Sequence, residues 1–132
     1  MDLLEIKLRG RIPSKKNSRR NYRGNSIPSA KFVEWHDRNR ASLVEWLPTT
    51  GWRAPESPVS VSILFEFPDM GKADLSNKAE SVMDLLVDCG ILRDDSWRFV
   101  PELLLRFAGE DKLSKNPLTI VRIGRYDSGD KQ

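Results

Sequence analysis

With 132 residues, the chain is sized for one compact domain. Its 39% apolar residues can build a modest core, while 31% charged residues and a net charge of +3 suit a protein in water. A single cysteine, Cys89, excludes an internal disulfide and a cysteine-rich zinc site, and no apolar run approaches the length of a membrane span. The N-terminus shows no apolar stretch followed by a cleavage site, so the expectation is a cytoplasmic protein without a signal peptide.

In chain order, Leu4, Ile6 and Leu8 alternate with charged residues, the period-two pattern of a half-buried strand that Gly10 and Pro13 end. The stretch PSKKNSRRNYRGNSIP is rich in turn residues and positive charge and reads as a long exposed loop. Ser29 is placed to cap a helix running through AKFVEWHDRNRASLVEWL, closed by Pro48. Val59, Val61, Ile63, Phe65 and Phe67 alternate without a break and give the clearest strand. A second helix is predicted from about Leu75 to Cys89, with Gly90 as its stop. Ala79, Val82, Met83, Leu86 and Cys89 share its apolar face; Asn77, Glu80, Asp84 and Asp88 share the opposite one. A turn with Asp94 and Asp95, the apolar segment FVPELLLRFAG and a last strand near LTIVRIGRY complete the chain. The expected fold is α+β, a small mixed sheet with two main helices packed on it. Residues 1–126 are expected to form one domain, and 127–132 a frayed polar tail.

Charge is unevenly spread. From Lys7 to Arg23 there are eight basic residues and no acidic one; from Glu66 to Asp95 there are eight acidic residues against three basic ones. A basic lobe joined to an acidic centre fits an enzyme that grips a polyanion and cuts it with a metal, and equally two solvated faces of opposite sign. Within the acidic centre, Asp74 precedes the second helix, Asp94 and Asp95 follow it, and Glu80 lies one to two turns inside. Clustered carboxylate oxygens are what magnesium or manganese requires. The same residues have ordinary uses too, as a helix cap, solvent-facing side chains and turn formers.

The run from Asp74 to Asp95 resembles the core signature of the RusA family of Holliday junction resolvases. That family pairs an Asp-Leu-Asp-Asn start with a helix ending in Ala-Gly and then an Asp-Asp pair. Here stand Asp74, Leu75, Ser76 and Asn77, then Asp88, Cys89 and Gly90, then Asp94 and Asp95. RGRIPSKKNSRR resembles the family's basic segment after its first strand, and IPSAKFVEWHD its first helix, so the likeness spans most of the chain and is weakest after Gly109. It implies a homodimer that binds four-way DNA junctions and nicks two strands with Mg2+, Mn2+ being the substitute, in recombination, repair or phage DNA processing. It also implies that Asp74 and Asp95 are metal ligands, with Asp94 as the neighbouring member of the pair.

Two positions depart from the pattern: Ser76 stands where the family has its second aspartate, and Glu80 where it has a helix lysine. The expected site keeps its carboxylate count by using Glu80 as a ligand, with Lys78 or Lys72 supplying positive charge near the phosphate. The same departures also fit a relative that binds branched DNA without cutting it. Lys15, Lys16, Arg19 and Arg20 are expected to contact phosphates, which position DNA without reading sequence. His36, the only histidine, reads as a partly buried or surface residue. The four tryptophans read as core or dimer-interface residues, and Cys89 as packed in the core.

Overall fold

The computed structural model describes residues 3–13, 19–22, 25–28, 30–67, 75–110 and 117–127. Its elements run β1 (Leu4–Arg9), β2 (Arg19–Tyr22), β3 (Asn25–Pro28), α1 (Ala30–Trp46), a 3-10 turn (Leu47–Thr50), β4 (Val59–Phe67), α2 (Leu75–Asp88), β5 (Glu102–Glu110) and β6 (Leu118–Arg125). The fold is α+β, as expected. Four strands form a mixed sheet in the order β1-β6-β4-β5, in which only β4 and β5 run parallel. A parallel pair needs a crossover connection, and α2 supplies it.

The alternation seen in sequence sets which face is covered. Leu4, Ile6 and Leu8 of β1 pair with Ile123, Val121 and Thr119 of β6, and these with Val61, Ile63 and Phe65 of β4; all nine side chains are buried. The helices close over this face with Phe32, Trp35 and Leu43 from α1 and Ala79, Val82, Met83, Leu85 and Leu86 from α2. Each fully buried aliphatic side chain contributes about 1.5–3 kcal/mol relative to exposure. The other face carries Glu5, Lys7, Ser60, Ser62 and Arg122, none of them buried, and Glu5 holds Arg122 at 2.8 Å.

Both helix ends follow from sequence. Pro48 falls in the first turn of the 3-10 segment, which Gly51 ends at φ 74°. Gly90 has φ 77°; its N–H bonds Val87 O and that of Ile91 bonds Leu86 O, both at 3.0 Å, a Schellman closure that satisfies the last carbonyls of α2. The regular helix stops at Asp88, one residue short of the expected Cys89.

One expectation is corrected. The segment expected to be a long loop contains a two-stranded antiparallel hairpin, β2 with β3, running from Arg19↔Pro28 to Tyr22↔Asn25. Polar strands give no apolar alternation to read, but Tyr22 and Asn25 are separated by the two residues of Arg23-Gly24, the connection length that favours hairpins. The expected cap at Ser29 and the tail beyond Asp127 lie outside the described residues.

Candidate functional site

α2 presents two flanks of different chemistry. On one, a cleft of about 240 Å3 opens between the helix and the edge strand β5, lined by Ser76, Ala79, Glu80, Met83, Asp95, Val100, Leu103 and Leu105. The Gly90 closure turns the chain back on the helix, with the N–H groups of Ile91 and Leu92 both bonded to Leu86 O. Asp95, fifteen positions after Glu80 in the sequence, thereby shares a cleft with it. Both carboxylates are exposed, above a floor of aliphatic side chains. The donor set is all hard oxygen, which fits a magnesium-type ion.

Asp94 is exposed and does not line that cleft among the described residues; its Oδ1 accepts the Asp95 N–H at 2.9 Å, a local turn bond. Asp74 lies outside the described residues. Among the described residues, Glu80, Asp94 and Asp95 do not form a three-ligand cluster.

Lys78 sits on the other flank, as a rotation of about 200° between positions 78 and 80 of a helix requires. Its Nζ donates to the carbonyl of Ile12, and Ser81 Oγ donates to that of Pro13 at 2.7 Å. α2 thus fastens the segment that leads from β1 into the basic stretch. Lys78 lines a second cleft, of about 520 Å3, with Arg11, Ile12, Pro13, Lys31, Glu34, Trp35 and Arg38. Burial lowers the pKa of Lys78 below its ordinary range, and the nearby charges of Arg11 and Lys31 lower it further. The lysine expected to serve the acidic cleft therefore belongs to a basic one. Lys15 and Lys16 lie outside the described residues; Arg19 and Arg20 open strand β2.

His36 is where the residues depart most from expectation. It is buried, its Nε2 lies 2.7 Å from Asp88 Oδ2, and its Nδ1 lies 3.7 Å from Asp84 Oδ2. The four-residue spacing of Asp84 and Asp88 puts them on one helix face, which is legible in sequence. That α1 sets His36 against them is a tertiary fact, and no local pattern announces it. Cys89 is buried as expected, and its thiol is pushed up to about 11, chiefly by burial, with Asp88 adding to the shift and Arg40 opposing it. Trp35 is core, Trp46 and Trp52 are partly buried, and Trp97 is 83% exposed. No described helix is long and apolar enough to cross a membrane. No protein-family model matches the chain, and no curated protein matches it in sequence.

Proposed function

We propose that the chain is a magnesium-dependent endonuclease of the RusA type that binds and nicks four-way DNA junctions. The observation that carries this reading is the division of α2: Glu80 shares an acidic cleft with Asp95 on one flank, and the other flank fastens the root of the basic segment. A polyanion that spans α2 would meet basic side chains on one flank and carboxylates on the other. The resemblance from Asp74 to Asp95 supports the same reading.

In this mechanism Lys15, Lys16, Arg19 and Arg20 bind phosphates, joined by Arg11, Lys31 and Arg38 at the second cleft. Glu80 and Asp95, with Asp74, would hold Mg2+. Bound there, the ion would supply Lewis-acid chemistry for phosphodiester hydrolysis. Met83, Val100 and Leu105 form the apolar floor beneath the exposed carboxylates of Glu80 and Asp95. A two-fold dimer would match the two equivalent strands of a junction.

One observation favours a second reading, a branched-DNA binder that does not cut: Lys78 is engaged with Ile12, away from the acidic cleft. Incubating a labelled four-way junction, a fork and a linear duplex with the protein in Mg2+ or in EDTA tests both. Paired nicks in the junction with Mg2+ alone support the nuclease. Salt-sensitive binding without cleavage selects the binder.

A further inference from the structure

The His36 cluster belongs to neither cleft. Asp88 is acceptor-only when ionised, so a bond of 2.7 Å to His36 Nε2 requires the proton to sit on Nε2. Nδ1 then points at Asp84 Oδ2, 3.7 Å away, and Nδ1 is fully buried without a hydrogen-bond partner. A buried nitrogen lone pair facing a partly exposed carboxylate is electrostatically unfavourable unless a proton or a metal cation lies between them.

We propose that His36 Nδ1 and Asp84 form a structural site for a zinc-class divalent ion that joins α1 to α2, with Asp88 orienting the imidazole. Three observations converge on it. The first is the orphaned nitrogen, on a side chain only 10% exposed. The second is distance: donors bound tetrahedrally at about 2.0–2.1 Å sit roughly 3.3 Å apart, so the 3.7 Å gap closes with a small rotation of one carboxylate. The third is the carboxylate–histidine arrangement, in which the second ring nitrogen donates to an acid and so fixes the tautomer that can ligate.

Imidazole selects zinc-like ions over magnesium, which prefers oxygen alone. Phe32 and Trp35, with ring centroids 5.4 and 6.4 Å from that of His36, form an apolar backing, while Asp84 and Asp88 are 34% and 50% exposed and leave the remaining coordination positions open to water. The ion would act on stability, because it clamps residues 48 and 52 positions apart in the chain.

The test is calorimetric titration with zinc chloride of the full chain, stripped with EDTA and returned to excess Mg2+ so that the all-oxygen cleft is occupied. One ion per chain at micromolar affinity is expected, accompanied by a rise in melting temperature. Asp84→Asn should bind at least about tenfold more weakly, the scale typical of losing a ligand or its support. In excess Mg2+, Glu80→Gln should bind zinc as the wild type does, because Glu80 lines the acidic cleft and not the His36 cluster. Cobalt(II) bound to the wild type should give d–d absorption that zinc abolishes and excess Mg2+ does not. This readout stands even if His36→Gln fails to fold. No saturable zinc binding by the folded wild type would overturn the site. Equal binding by wild type and Asp84→Asn, or displacement of cobalt by Mg2+, would overturn it as well.

Discussion

The ammonium group of Lys78 hydrogen-bonds the carbonyl oxygen of Ile12 across 66 positions of sequence, in a half-buried setting shared with Arg11 and Lys31. That bond fixes where the chain leaves β1 and enters its basic stretch. Its cost shows in the lowered pKa. In the unfolded chain Lys78 titrates near its ordinary 10.5, so between the folded-state value and 10.5 the unfolded form binds more protons, and stability rises with pH. Urea unfolding from pH 8 to 10.5 should show this rise in the wild type and a smaller one in Lys78→Met. Identical slopes in the two proteins would mean the charge is not strained by its surroundings.

Glu80→Gln keeps size and one oxygen but removes the charge a divalent cation requires. Under the nuclease reading it should slow single-turnover cleavage of a labelled junction roughly a hundredfold or more, as losing one preorganised electrostatic group does, with binding largely intact. Asp74→Asn and Asp95→Asn should behave alike. Ser76→Ala should matter far less, although Ser76 lines the same cleft. A wild-type rate from Glu80→Gln would make it an ordinary helix surface residue.

Replacing Lys15, Lys16, Arg19 and Arg20 with alanine should weaken junction binding and flatten its dependence on salt, because each phosphate contact releases a counterion. Adding Lys31→Ala and Arg38→Ala should lower the slope further, since these two line the basic cleft beside the fastened segment. Fluorescence anisotropy across a salt series reads both effects. An unchanged slope in the quadruple variant would remove that segment from the interface.

Light scattering should give the mass of a dimer at micromolar concentration without DNA. Trp97 at 83% exposure and Leu104 at 55% are large apolar side chains left open on the single chain. Trp97→Ser should lower the dimer fraction if that surface is the contact. A monomer mass throughout would count against the two-fold arrangement.

Strands with one buried face were legible because burial imposes alternation: β1 and β4 could be read residue by residue, and Gly90 was legible as a stop because a left-handed residue suits glycine. The β2–β3 hairpin was not, since polar strands leave no alternation to read. The acidic cleft was legible in composition but not in geometry. Spacing put Glu80 and Asp95 on elements that could meet, whereas the turn-back from Gly90 that joins them depends on backbone bonds to Leu86. Lys78 was assigned from its adjacency to Asn77, yet adjacent helix positions diverge by about 100° and face different partners. His36 was underestimated for the converse reason, because its partners come from another helix.

The position of β5 at the rim of the sheet has a consequence for how the molecule breathes. Among the described residues β5 is bonded to β4 on one side and to no strand on the other, and its Leu103 and Leu105 line the acidic cleft. Edge strands open locally at lower free energy than central ones. Amides of β5 should exchange with solvent well before those of β6, which is bonded on both sides. The wall beside Glu80 and Asp95 should therefore open at lower free energy than the core of Phe65, Val121 and Ile123, a difference the exchange rates would read directly.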